Sequence, residues 1–93
     1  MKKASHKVED GKMVKIQLEI NDETVEGVQI RGDFFLEPPE KLEELEKQLE
    51  GLKQDSTIEE VAEKAKNVEA DLIGFTHEDI GKAFRKALEG DEK

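Results

Sequence analysis

Val14-Lys15-Ile16-Gln17-Leu18-Glu19-Ile20 alternates apolar and polar side chains without a break, which is the period-2 signature of a strand with one buried face. Asn21-Asp22-Glu23 follows with turn-forming residues, and Thr24 to Arg31 then brings Val25, Val28 and Ile30, so the two stretches read as an antiparallel hairpin. Val25 is out of phase with Val28 and Ile30, and Gly27 lies between them, where a bulge would correct the register. Upstream, His6 to Glu9 is expected to add a third strand through an Asp10-Gly11 turn.

Beyond Glu37 the period changes. Pro39 suits a first helical position, and Leu42, Leu45, Leu49 and Leu52 recur at helical spacing up to an end near Gly51. A second helix is expected from Ser56, with Glu59 completing a capping box and Ile58, Val61, Ala62 and Ala65 on its buried face before Asn67. Val68 to Phe75, with Leu72, Ile73 and Phe75 around Gly74, is too short for its pattern to separate strand from loop. Thr76 caps a third helix carrying Ile80, Ala83, Phe84, Ala87 and Leu88 on one face, with Gly90 past its end. Strands followed by helices predict an α+β domain: a small antiparallel sheet of two to three strands with about three helices on one face. One domain spans residues 1–93, with 1–5 and 91–93 expected to be flexible.

The chain carries 24 acidic and 15 basic residues for a net charge of −9, with mean hydropathy −0.78. Such a surface repels phosphate backbones and anionic lipid, so neither nucleic acid nor membrane is an expected partner. Residues 37–93 hold 17 of the acids and only 9 of the bases, which places most of the negative field on the helical part. Although 42% of residues are charged, 24 are Leu, Ile, Val or Phe, enough for a modest core. No apolar run approaches the roughly 20 residues of a membrane span, and the start reads as no signal peptide, so a cytoplasmic location is expected. The composition, with only two Asn and four Gln beside abundant Glu and Lys, suggests a heat-adapted source.

Cysteine is absent, which removes disulfides, thiolate catalysis, iron–sulfur ligation and cysteine-based zinc sites. His6 and His77 stand 71 residues apart without a ligand pattern around them, and Ser5 and Ser56 lack a nucleophile motif. The carboxylates Glu43, Glu46 and Glu50, and Glu59, Glu60 and Glu63, recur at helical spacing as a solvated face does. No catalytic residue and no metal ligand is therefore assigned. The distinctive stretch is Gly32-Asp33-Phe34-Phe35, which sets two of the four Phe side by side where strand gives way to helix. Neighbouring side chains in a strand point to opposite faces. Either a kink at Gly32 buries both rings, or one Phe anchors a partner surface; Asp33 is either a turn former or a site residue.

Gly32-Asp33-Phe34-Phe35, with the preceding strand and the following Pro39-Glu40, Leu45-Glu46 and Leu49-Glu50-Gly51, resembles the C-terminal accessory domain of lipoate protein ligases. His6-Lys7-Val8 with Gly11-Lys12-Met13-Val14, and Leu72-Ile73-Gly74-Phe75-Thr76 with Asp79-Ile80, resemble that family's opening and closing segments, so the likeness spans about residues 6 to 90. Glu9-Asp10 departs from the family's commoner pattern of a Pro and a second Gly there.

Most such domains follow a large catalytic domain. The resemblance implies that this chain is the small accessory subunit of a bipartite ligase, in a heterodimer with a large catalytic subunit. It further implies that ATP, Mg²⁺ and lipoate bind on the large subunit, and that the small one is required to form lipoyl-adenylate. Lipoyl acceptor domains would then be indirect partners, and no activity is expected of the chain alone. A carboxylate brought against a triphosphate needs positive charge and Mg²⁺, which a chain at −9 without a phosphate loop is poorly equipped to supply. Lys12 and Lys15 either sit in solvent or approach a phosphate or carboxylate of a shared site. The alternative is an acidic interaction module that tethers lipoyl acceptor domains without the large subunit.

Overall fold

The computed structural model describes residues 2–8 and 12–89. Strands β1 (Lys2–Lys7), β2 (Met13–Asn21) and β3 (Thr24–Gly32) form an antiparallel sheet in the order β1-β2-β3. The short strands β4 (Phe35–Glu37) and β5 (Asp71–Ile73) form a second, antiparallel pair, and the helices are α1 (Lys41–Leu49), α2 (Ile58–Ala65) and α3 (His77–Glu89). This is the expected α+β architecture with three helices. α3 lies over β1 and β2, α1 packs along β3, and α2 packs on α3 and α1.

The β2–β3 hairpin closes through Asp22 and Glu23, both at positive φ (54° and 66°), which is the turn geometry that matches strand twist. Glu19 pairs with Gly27 but Ile20 pairs with Val25, so Glu26 is the extra residue of a bulge and the phase of the apolar residues is restored. Val14, Ile16 and Leu18 of β2 thereby share the buried face with Val25, Val28 and Ile30 of β3. The free edge of β3 is covered. The Val25 N–H donates to Leu52 O (2.8 Å), the Gly51 N–H to Val25 O (2.7 Å), and the Ile30 N–H to the Glu46 carboxylate (2.8 Å). Backbone groups left open there would template pairing with another chain.

Some boundaries differ from those expected. β1 begins at Lys2 rather than His6, because Ala4 and His6 both turn inward and Lys2 to Lys7 pairs with Met13 to Leu18. Lys2 to Ser5, expected as part of a flexible end, are thus the first residues of a paired strand, whereas Asp10-Gly11 and residues 91–93 lie outside the described residues. Pro39 is not helical: Pro38 and Pro39 form the turn before α1, accepting from Lys41 and Leu42, and the Glu37–Pro38 bond is cis. α1 ends at Leu49, two residues before Gly51, which takes a positive φ of 94°.

The second helix is capped by Thr57, not Ser56. The Glu60 N–H donates to Thr57 Oγ1 (3.1 Å) and the Thr57 N–H to the Glu60 carboxylate (2.8 Å), while Ser56 is buried with its carbonyl accepting from Arg85 (3.0 Å). Ile58 is only half-buried, but it sets the closeness of the two helices: a Cβ on Gly81 would meet Ile58 O at 2.7 Å. The core is completed by Leu36, Leu45, Leu49, Val61, Ala65, Phe75, Ile80, Ala83, Phe84 and Ala87.

Candidate functional site

At Gly32 the chain leaves β3 against the carbonyl of Met13, onto which a Cβ would fall; the same Cβ would stand 2.9 Å from the Phe34 ring. The absence of a side chain lets the Asp33 N–H close on Met13 O (3.1 Å) and turns the backbone out of the large sheet. The Asp33 side chain is exposed and makes no hydrogen bond or ion pair with another described residue.

The two Phe that follow part ways. Phe34 turns inward, half-buried, with its ring centroid 4.2 Å from that of Phe75 and the planes tilted by 37°. Phe35, the first residue of β4, points out and is 67% exposed. Directly across the ladder stands Ile73, 45% exposed, while their neighbours Leu36 and Leu72 face the core. The small sheet therefore displays an apolar cross-strand pair on its outer side. Among the described residues these are the exposed large hydrophobic side chains. Ile73 was missed as a site residue because its partner across the ladder is 38 positions away and β5 is too short to show a period.

The loop after β5 joins this patch to the rest of the molecule. Gly74 (φ 95°) carries the chain past the aliphatic stem of Lys12, and Thr76 starts α3 by accepting from the Asp79 N–H (3.2 Å). Asp79 Oδ2 in return accepts from the Thr76 N–H (2.9 Å) and hydroxyl (3.0 Å). Its other oxygen accepts from His6 Nε2 (3.1 Å), which pins β1 to the start of α3; His6 Nδ1 is buried without a hydrogen-bond partner among the described residues. Partial burial acts to raise the Asp79 carboxyl, but the His6 and Thr76 donors outweigh it and hold it below its ordinary value of 3.8. Burial first, and then the Lys66 charge, push His77 below the ordinary imidazole value.

Lys12 and Lys15 are not brought together. Lys12 lies against Gly74 beside the motif, whereas Lys15 stands on the open face of the large sheet between Ser5 and Arg31. Among the described residues no three His, Asp or Glu side chains converge as a metal site would require. No helix among the described residues is long and apolar enough to cross a membrane.

Comparison with known proteins agrees with this geometry. The fold matches a chain in the solved structure of an archaeal lipoylation system, described as a bi-partite lipoate protein ligase and its E2 lipoyl domain from Thermoplasma acidophilum. The TM-score is 0.70 at 20% sequence identity, over 89% of this chain and 94% of that one, a likeness of fold. No curated relative matches significantly. Residues 2–84 match the family described as bacterial lipoate protein ligase C-terminus, from the first strand through most of α3 and including the Gly32-Asp33-Phe34-Phe35 junction, and the chain belongs to that family.

Proposed function

We propose that this protein is a non-catalytic accessory subunit of a lipoate protein ligase. It docks on a separate catalytic subunit through Phe35 and Ile73 and is required there for the ATP-dependent conversion of lipoate to lipoyl-adenylate. The observation that carries the reading is the outward-facing Phe35–Ile73 pair on a sheet whose inner side is already filled. A directly opposed aromatic and β-branched pair adds at most about 0.2–1 kcal/mol to the isolated sheet, and adjoining apolar side chains left in water are where a partner surface gains most by covering them.

Family membership supports the choice of reaction, and the match to a chain of a bi-partite ligase, covering nearly all of both chains, supports a separate subunit. The role is mechanical. A partner held against the small sheet has its neighbouring loops ordered and water kept from its reaction pocket, which is how a lid or cap raises the yield of a hydrolysable adenylate. ATP, Mg²⁺ and lipoate then belong to the catalytic subunit, and acceptor domains are met through it.

Reconstitution tests the proposal. With lipoate, ATP and Mg²⁺, this chain alone should give no lipoyl-adenylate, the catalytic subunit alone little, and the mixture a full yield. Adenylate made by this chain in isolation, or by the catalytic subunit equally well without it, would overturn the reading.

A further inference from the structure

The large sheet has a second face, turned away from the core, and its charge is opposite to that of the molecule. Alternation along the strands places Lys3, Ser5 and Lys7 of β1, Lys15, Gln17 and Glu19 of β2, and Gln29 and Arg31 of β3 on it. Pairing sets them in rows: Ser5, Lys15 and Arg31 in one, and Lys3, Gln17 and Gln29 in the next. Four cations thus stand with two carboxylates, Glu19 and the bulge residue Glu26, both toward the hairpin end, on a chain of net charge −9. Between the rows runs a shallow depression of about 360 Å³, with Lys3, Lys15, Gln29 and Arg31 on its rim.

Lys15 and Arg31 are directly opposite on adjacent strands, an arrangement of like charges that destabilises a sheet. Arg31 is only partly compensated, by Glu46 on α1 at 3.4 Å, with its side chain still 65% exposed. Lys15, Lys3 and Lys7 form no ion pair with another described residue. A sequence with 24 carboxylates to distribute has placed only Glu19 and Glu26 of its strand carboxylates on this face, away from the Lys15–Arg31 row. Folding alone does not account for that distribution.

We infer that the open face of the β1-β2-β3 sheet is a docking surface for an acidic patch on a partner protein, separate from the apolar Phe35–Ile73 contact. Three strands at roughly 4.8 Å spacing make a patch only about 10 Å across. That size suits a few clustered carboxylates, whereas the negative field of the remaining surface disfavours a long polyanion.

The test is a backbone amide NMR titration of the full chain with a hexaglutamate peptide as probe, at about 0.01 M and about 1 M salt. Shifts should concentrate at residues 3, 15, 17, 29 and 31 and vanish at high salt. The double substitution Lys15→Gln with Arg31→Gln should weaken the probe roughly tenfold, while melting at the same or a higher temperature once the like-charge pair is gone. Shifts centred elsewhere, or unchanged affinity in the folded double variant, would overturn the inference. Tighter binding of inorganic triphosphate, or of an oligonucleotide of equal charge, would also overturn it, by making phosphate the occupant. The Phe35→Ala variant should bind the probe as the parent does, so the result stands or falls apart from the accessory-subunit reading.

Discussion

The two sheets differ in what they leave outside. The β1-β2-β3 sheet turns its apolar residues to the core and its polar ones to water, as a sheet covered on one side must. The β4–β5 pair buries Leu36, packs Leu72 against the core and still displays Phe35 and Ile73. In the first, the division of apolar from polar side chains is explained by folding, whatever the sign of the outer charges. The second is not, and an element whose outward side chains do not serve its own fold is where a partner should be sought. Gly32 separates the two regimes.

Breaking the junction has the largest expected effect. Gly32→Val drives side-chain atoms into Met13 O and the Phe34 ring, and because a backbone carbonyl cannot yield, stability should fall by about 3 kcal/mol or more. Chemical denaturation of the purified variant would measure it; a loss below about 1 kcal/mol would mean that the backbone relaxes there. Phe34→Ala comes next, at roughly 2 kcal/mol, because the lost ring is half-buried against Phe75 rather than fully enclosed. Phe35→Ala, one residue on, should change stability by less than about 0.5 kcal/mol. Melting the two variants side by side sharpens the contrast: equal destabilisation would return both rings to the core.

Asp79→Asn has an intermediate effect, about 1 kcal/mol, since it weakens the acceptor shared by the Thr76 cap and His6. Its pH dependence has a definite sign. The folded-state carboxyl lies below its ordinary value of 3.8, so its contribution is fully present above that pH and is lost as pH falls through the lower folded-state value. The gap between parent and variant should therefore narrow on acidification below about pH 4. A gap that widens in acid would contradict the assigned cause.

The same contrast marks how far the sequence could be read. The alternation from Val14 to Ile20 is long enough to declare its period, and the phase slip at Val25 announced the bulge between Glu19 and Ile20. Three-residue strands have no period to declare. β4 and β5 exist because the turn at Gly32 delivers Phe35 to Ile73, a tertiary event that neither segment encodes by itself. The cap of α2 failed by one residue for a related reason. Ser56 with Glu59 and Thr57 with Glu60 both spell a capping box, and only the burial of Ser56 under Arg85 decides between them. At the site, adjacent Phe residues signalled unequal roles, but which ring faces outward depended on Phe75, 41 positions away from Phe34. His6 and Asp79, 73 residues apart, carry no local signal of their contact.

The proposed role requires the outer side of the small sheet to be a contact surface for a catalytic ligase subunit. The direct measurement is lipoyl-adenylate formation by that subunit at fixed concentration, titrated with parent or Phe35→Ala chain. An apolar anchor at an interface centre predicts that the variant, folded as the parent is, needs roughly tenfold or more chain for half-maximal yield and reaches the same maximum at saturation. A superimposable titration curve would show that Phe35 takes no part in docking and would contradict the central claim.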